Sequence, residues 1–200
     1  MFVDSRQVDD NACLHAEVCI IGGGMAGLAI ALELDRQGIS TLVLESGGYE
    51  PDEKTRDLYR GDSTGIPYLY SDGCRSRYLG GSSNCWGGWC RPMQAHDFEA
   101  RPWVQNSGWP ISFEDLRTYY TRSHTFLKLG PDNYDTEYWA SAIGRDDTRR
   151  FPLSGEYLTD AISQFSWPLR AGRDYRQKLS ESQFITVCLY ANVVEIETDP

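Results

Sequence analysis

Short apolar runs that end at glycine dominate the first quarter of the chain. Ala16–Ile21 is a β-branched apolar run that stops at three glycines, which is typical of a buried parallel strand. Residues 24–37 are good helix formers with small residues on one side, and Gly38 supplies a stop signal. Thr41–Glu45 is a second buried strand. Strand, glycine turn, helix and strand together predict one right-handed βαβ unit over about residues 16–48.

The pattern becomes less regular beyond this unit. Residues 49–79 have no clear period and predict connecting structure, whereas Gly80–Gly88 forms a second glycine-rich segment. Within Trp109–Tyr120, apolar positions recur at helical spacing. Ser112 with an acidic residue three positions later, Asp115, predicts that a helix begins there.

The two ends of the chain differ in character. Residues 1–15 are polar and predict an irregular lead-in. Phe184–Ile196 is rich in β-branched and aromatic residues and predicts returning strands over about 184–197. A turn signal, Thr198–Pro200, closes the sequence, so we expect the chain to be cut from a longer one.

Composition and charge exclude several classes of partner. The 200 residues are 40% hydrophobic and carry a net charge of −10, which predicts a soluble domain that repels nucleic acid and anionic lipid surfaces. No basic leader, bilayer-length apolar run or C-x-x-C pair occurs, so a cytoplasmic location with reduced cysteines is expected. The cysteine spacing fits no common zinc pattern, and no metal site is predicted.

The glycines after the first strand satisfy the G-x-G-x-x-G pattern of dinucleotide-binding turns. Gly22 can form the tight turn, Gly24 lets backbone approach a pyrophosphate, and Gly27 lets the helix lie close to the sheet. Free amides at the helix start, those of Met25 and Ala26, then meet the phosphates.

An acidic residue completes this first motif. Glu45 ends the second strand 23 residues after Gly22, near the roughly 20-residue offset of the acid that binds a ribose hydroxyl, and Ser46 follows it in the turn. A carboxylate there argues against a ribose 2′-phosphate, and hence against NADP. The motif alone leaves NAD and FAD open, and a tight turn with an incidental exposed glutamate is the simpler alternative.

Three separated segments resemble the glucose–methanol–choline family of FAD-dependent oxidoreductases, nearest its pyranose oxidase and sugar dehydrogenase branch. They are VCIIGGGMAGLAIALELDRQGISTLVLESGG, RYLGGSSNCWGGWCRPMQAHDF and GWPISFEDLRTYY. The resemblance implies an α/β fold, a Rossmann-like FAD-binding domain with a parallel sheet that is incomplete at its C-terminus. Residues 1–200 would be its N-terminal portion, with a flavin-binding loop at about 75–92 and an irregular or helical segment at 93–180. The C-terminal substrate domain would be absent.

The second motif supplies the other predicted FAD contacts. Gly80 and Gly81 permit close passage of backbone past the diphosphate or ribityl chain. Short polar groups for phosphate, ribityl hydroxyls or the flavin edge follow in Ser82, Ser83 and Asn84. Three further candidates remain. Arg77 could place a positive charge beside the diphosphate, and Trp86 could border the flavin or substrate cleft. Val193 matches a family position whose backbone meets the adenine. A polar surface loop, and for Val193 an ordinary core valine, are the alternatives.

Cys85 departs from the family pattern. In the pyranose-oxidising relatives the matching position holds a histidine that is linked covalently to the flavin. A cysteine thiolate is nucleophilic and can in principle form a thioether to the flavin methyl carbon. The simpler interpretation is that Cys85 is a buried, small apolar residue.

The resemblance implies oxidation of a CH–OH group, on a sugar or sugar-like alcohol, by hydride transfer to flavin N5, with oxygen or another electron acceptor. The catalytic residues are expected beyond Pro200, and a complementary C-terminal chain is one way to supply them. The arginine-rich stretch 170–178 predicts a solvated face. Two alternatives stay open: a non-catalytic truncated or split flavoprotein half, and an NAD-binding dehydrogenase that uses only the first motif.

Overall fold

The computed structural model describes residues 1–66, 74–144, 155, 157–167 and 169–198. The strands are β1 Phe2–Asp4, β2 Val18–Ile21, β3 Thr41–Leu44, β4 Trp89–Cys90, β5 Gln164–Phe165 and β6 Ile185–Leu189. The α-helices are α1 Met25–Asp35, α2 Glu53–Asp57, α3 Phe113–Leu127, α4 Thr136–Ile143, α5 Ala171–Asp174 and α6 Arg176–Glu181. Three single 3₁₀ turns lie at Ser5–Gln7, Gly81–Asn84 and Ala95–Asp97. None of the helices in these ranges is long and apolar enough to cross a bilayer.

The chain divides into two compact units. The first joins Met1–Gly87 to Leu169–Pro200, and the second is the intervening segment Gly88–Pro168. The flavin-binding loop and the segment predicted at 93–180 are therefore each shared between the units, and residues 145–154 of that segment lie outside the described residues.

A parallel four-stranded sheet with the order β1-β6-β3-β2 forms the first unit. Val43 of β3 lies between Ile20 of β2 and Val187 of β6, and all three side chains are buried. A central parallel strand is covered on both faces, which is why its sequence reads as a continuous apolar run. The sheet and its helices confirm the predicted α/β, Rossmann-like fold.

Helix α1 connects β2 to β3 as the pattern predicts. It buries Leu28, Ala31 and Leu32. Its end is fixed by Gly38, which adopts a φ of 72° that side-chain-bearing residues avoid. The helix and both strands fall within the predicted βαβ unit.

The predictions for the chain ends need correction. Residues 1–15 are not wholly irregular, because β1 pairs with β6 and the Phe2 ring meets Tyr49 at a centroid distance of 5.3 Å. The predicted strands over 184–197 stop at Leu189. Tyr190 turns the backbone to a φ of 58°, and the Ala191 amide then donates to the Glu45 carbonyl at 2.8 Å. A three-residue strand is too short for its alternation to be recognised, and a left-handed tyrosine carries no sequence signal.

The second unit contains α3, α4 and the antiparallel β4–β5 ribbon. Ser112 begins α3 as predicted: its hydroxyl accepts from the Asp115 amide, and the Asp115 carboxylate accepts from the Ser112 amide at 2.8 Å. Such reciprocal bonds satisfy donors that a helix start leaves unpaired. The far end of α3 is joined to the ribbon by the Ser166 hydroxyl, which donates to the Leu127 carbonyl at 2.5 Å.

Candidate dinucleotide site

The turn between β2 and α1 requires glycine for different reasons at different positions. Gly22 has a φ of 102°, which favours glycine. A Cβ on Gly27 would lie 2.0 Å from the Gly22 carbonyl oxygen, so no side chain fits there. Gly24 has neither restriction, because a Cβ there would meet nothing nearer than Gly81 Cα at 4.0 Å. The protein alone does not require Gly24 to lack a side chain, whereas a ligand in close contact with its backbone would.

The amides at the start of α1 face this open position. Gly24 is the N-cap residue and offers no side-chain bond to the helix. The first amides of an α-helix have no partner within the helix, so those of Met25 and Ala26 are available to an anion. Met25 is half-buried and Ala26 is exposed. The helix dipole adds positive potential at the same point.

The two glycine-rich segments meet at this turn. Gly24 and Gly80 form an isolated parallel bridge, and the Gly80 amide donates to the Gly23 carbonyl at 2.8 Å. A Cβ on Gly81 would lie 3.0 Å from Gly24 Cα, tighter than most real contacts. Gly80 and Gly81 both have positive φ, 96° and 52°. The structure thus brings together the two motifs that the sequence analysis singled out separately.

Glu45 is buried at the end of β3, with 5% of its surface exposed. Its two carboxylate oxygens accept from the Gly23 amide at 2.8 Å and from the Gly47 amide at 3.0 Å. The alternative of an incidental exposed glutamate is therefore wrong. Each carboxylate oxygen has a second lone pair, so binding of a ribose hydroxyl remains compatible with these bonds and stays a prediction. Ser46 follows it and is half-buried.

Polar side chains of the second motif form hydrogen bonds that stabilise the loop in which they lie. The buried Ser83 hydroxyl donates to the Gly80 carbonyl at 2.7 Å and accepts from the Ala171 amide at 3.0 Å. Asn84 Nδ2 donates to the Leu79 carbonyl at 3.0 Å, while Ser82 is exposed. These bonds give Ser83 and Asn84 a packing role that the sequence analysis missed, and contact of any of the three with FAD stays a prediction.

Helix α5 packs against this loop. A Cβ on Gly172 would lie 2.2 Å from the Leu79 carbonyl oxygen, so the helix and the loop touch backbone to backbone. The signal in the sequence is the glycine within Ala171–Asp174, where a helix would otherwise avoid it.

Arg77, Trp86 and Val193 make contacts within the first unit that fix their positions. Arg77 donates through Nη2 to Asn192 Oδ1 at 2.5 Å, and Trp86 Nε1 donates to the Leu169 carbonyl at 3.0 Å. Val193 is half-buried and lies outside any strand, so it is not the core strand valine of the alternative interpretation. Contact of each of these residues with FAD stays a prediction.

The Cys85 side chain is exposed and lies among polar groups. Its Sγ accepts from the Ser76 hydroxyl at 3.4 Å and donates to the Ser82 carbonyl at 3.5 Å. The simple interpretation of Cys85 as a buried apolar residue is wrong, because the residue is exposed.

The described ranges contain no cluster of three or more histidine, cysteine, aspartate or glutamate side chains arranged to hold a metal ion. His124 is buried in the second unit, where Nδ1 lies 2.8 Å from the Gly130 carbonyl and Nε2 lies 3.1 Å from the Tyr134 hydroxyl. Both ring nitrogens thus serve the local fold of that unit.

The chain is similar to known proteins in sequence and in structure. Residues 17–55 match the family described as FAD dependent oxidoreductase (DAO). Squalene epoxidase erg1 of Aspergillus fumigatus is 42% identical over 55 residues, which are 28% of this chain and 11% of that protein. The crystal structure of pyridoxine 4-oxidase from Mesorbium loti is 18% identical, with a TM-score of 0.45 over 88% of this chain and 42% of that one. The chain thus spans less than half the length of each of these two proteins.

The matched family segment contains β2, the glycine turn, α1, β3 and Glu45. The same residues form the open backbone position and the amide cluster that suit a dinucleotide diphosphate. FAD, the cofactor expected from the sequence, is the cofactor of this βαβ site.

Proposed function

We propose that this chain is the FAD-binding portion of an oxidoreductase that acts on a CH–OH group of a sugar or sugar-like alcohol. One observation carries the proposal: two glycine-rich segments far apart in sequence meet as backbone against backbone at the start of α1. A single glycine motif is common to many dinucleotide sites. A second one bridged to it is what the glucose–methanol–choline resemblance requires, and we assign the chain to that family as part of the proposal.

The chain's own residues have distinct tasks in this proposal. The amides of Met25 and Ala26 bind the diphosphate, Glu45 binds the ribose, and the backbone of Gly80 and Gly81 lies along the cofactor. Bound FAD supplies the acceptor for a hydride. The group that removes the hydroxyl proton is expected from residues outside these 200, either later in a longer chain or in a complementary one.

The substrate class and the partners rest on resemblance alone. The segment Gly80–Trp86 is most similar to the sugar-oxidising branch of the family, and this supports a sugar-like alcohol. The other proposed partner is an electron acceptor, oxygen or another oxidant, and the proposed location is the cytoplasm.

A glycine substitution tests the cofactor site directly. In Gly24→Ala the new methyl group enters space that the protein leaves open, so we expect normal folding and an FAD affinity at least about tenfold lower. Gly61→Ala is the matched control, because a Cβ at Gly61 also meets nothing within 4 Å. Titration followed by quenching of flavin fluorescence measures the affinity, and circular dichroism verifies the fold. Equal FAD affinities in both variants, or a protein that stays colourless with excess FAD, would refute the proposed site.

A second titration separates this proposal from an NAD-dependent dehydrogenase. Purified protein that binds NAD tightly while it ignores FAD would favour the dehydrogenase alternative. For FAD-loaded protein, with a complementary chain if one is found, we expect anaerobic addition of a pyranose sugar to bleach the flavin absorption. Bleaching by NADH but by no alcohol would exclude alcohol oxidation.

A further inference from the structure

A cavity in the first unit is surrounded by cationic and hydrogen-bonding side chains. Its volume is about 430 Å³, and its lining includes Arg170, Arg173, Arg176, Tyr49, Tyr78 and Asn84. This volume lies within the range of about 300–1,000 Å³ that is usual for small-molecule sites. Three guanidinium groups around one cavity contrast with a chain whose net charge is −10.

The charges of the stretch 170–178 predict a solvated face, but three of its arginines line this cavity. Arg170 precedes α5, Arg173 lies within α5 and Arg176 begins α6, and all three line the same cavity. The helix pair is held in position by Arg170 itself, whose Nη1 donates to the Ser83 carbonyl at 2.8 Å.

Arg176 is held by an aromatic ring. Its guanidinium carbon lies 4.2 Å from the centre of the Tyr49 ring, and its buried Nε meets no acceptor within the described part of the chain. The Tyr49 ring and the buried Nε fix the position of this side chain, and its terminal guanidinium nitrogens remain as donors to an oxyanion in the cavity. Arg173 differs, since it contacts the neighbouring Asp174 carboxylate at 3.0 Å.

Polar groups around the cavity limit the kind of anion that fits. Burial raises the pKa of Tyr49, so its phenol remains a hydrogen-bond donor at neutral pH. Glu50 also lines the cavity and is exposed, so this carboxylate would repel a second anionic group but can accept from a hydroxyl. One anionic group together with one or more hydroxyl groups matches this arrangement.

We propose that this cavity binds the phosphate monoester of a small hydroxylated molecule. The phosphate lies against the arginines, where planar guanidinium groups bind it with paired hydrogen bonds, and the hydroxyl groups face Glu50. This site is additional to the FAD function proposed above and does not depend on alcohol oxidation.

Calorimetric titration of the FAD-loaded protein with glycerol 3-phosphate tests the proposal, with glycerol and inorganic phosphate as parallel probes. We expect saturable binding of the ester, weaker binding of inorganic phosphate and none of glycerol. Arg176→Gln should weaken ester binding at least about tenfold, because a bidentate charged contact is lost. The matched control is Arg117→Gln, an exposed arginine on α3 of the second unit.

Arg176→Lys guards against a folding artefact, because it keeps the charge while it removes the planar fork, and it should recover only part of the affinity. Absence of saturable ester binding, equal losses in Arg176→Gln and Arg117→Gln, or inorganic phosphate binding as tightly as the ester would each overturn the proposal. Competition between the ester and FAD would overturn it as well, by assigning the cavity to the cofactor site. The FAD affinity of each variant is measured in parallel, so failure of the ester site is distinguishable from failure of the FAD site.

Discussion

At the scale of single residues, the glycines of the first motif divide into those that the protein requires and one that it does not. Gly27 is excluded from bearing a side chain by the Gly22 carbonyl oxygen, 2.0 Å from where a Cβ would lie. Gly24 has open space, and we attribute its identity to the ligand. A substitution at Gly27 should therefore lower the stability of the fold, whereas one at Gly24 should lower the affinity for FAD.

Gly27→Ala should destabilise the fold. The added methyl cannot coexist with backbone at 2.0 Å, so α1 must move away from the β2 turn, at a cost of about 1–3 kcal/mol of unfolding free energy. Urea unfolding measures the loss, with Gly61→Ala as the control. Unchanged stability would show that the turn does not lie as close to the helix as described.

Acid precipitation of the FAD-loaded protein should release all of the flavin. The Cys85 thiol donates a hydrogen bond to the Ser82 carbonyl at 3.5 Å, and this bond would be lost on formation of a thioether, whose sulfur carries no hydrogen. The colour should leave with the supernatant for both the native protein and Cys85→Ser. Flavin that stays in the native pellet but not in the Cys85→Ser pellet would demonstrate the covalent bond.

At the scale of elements, α3 depends on a carboxylate at its start. Hydrogen bonds from the Ser112 amide and hydroxyl lower the pKa of Asp115 below its ordinary value of 3.8. A carboxyl group with a lower pKa in the folded state stabilises fully above its unfolded pKa and loses that effect as pH falls through the folded pKa.

Asp115→Asn should therefore lower the unfolding temperature at neutral pH, and its difference from the native protein should shrink as pH falls below about 3.8. Thermal unfolding followed by circular dichroism over a pH series measures this. Glu114→Gln is the control, since Glu114 lies in the same first turn and forms an exposed ion pair with Arg117. A difference in unfolding temperature that stays constant with pH would exclude a contribution from the Asp115 charge.

The contact between α5 and the glycine loop gives a second prediction at this scale. Gly172→Ala places a methyl 2.2 Å from the Leu79 carbonyl oxygen, which should displace the loop that meets Gly24. We expect weaker FAD binding, by about tenfold or more, although Gly172 lies outside both glycine motifs. Flavin fluorescence titration measures this, and Gly61→Ala is the control because a Cβ there meets nothing within 4 Å. An FAD affinity equal to that of the native protein would show that the loop tolerates the displacement.

Local signals predicted the elements that are defined locally. The βαβ unit, the stop at Gly38 and the Ser112 cap follow from residues near each other in the chain, and the structure contains all three. Features made by distant residues carried no such signal, among them the pairing of β1 with β6 and the bonds of Ser83 to α5. The hydroxyl of Ser83 could form hydrogen bonds with a ligand or with the backbone around it. The sequence does not show which protein groups lie near the hydroxyl, whereas the fold does.

At the scale of the whole molecule, the glycines that meet at the start of α1, Gly24, Gly80 and Gly81, belong to the first unit, whereas α3 belongs to the second. Because a ligand stabilises the state to which it binds, FAD should slow hydrogen exchange of the amides that line its site. We expect protection at residues 22–28 and 79–85 and little change within Phe113–Leu127. Protection concentrated in α3 would place the cofactor elsewhere.

The pairing of β1 with β6 also bears on how the protein is made. Phe2 pairs with Val187, so β1 has no sheet neighbour until the ribosome has passed β6, more than 180 residues later. At typical rates of about 5–20 residues per second, the nascent chain would wait roughly 10–40 s for β6. During that interval one side of β3 lacks its partner, and the apolar Leu42 and Val43 offer a binding surface to ribosome-associated chaperones. Synthesis speed and chaperone supply would then affect how much of this protein a cell obtains in folded form.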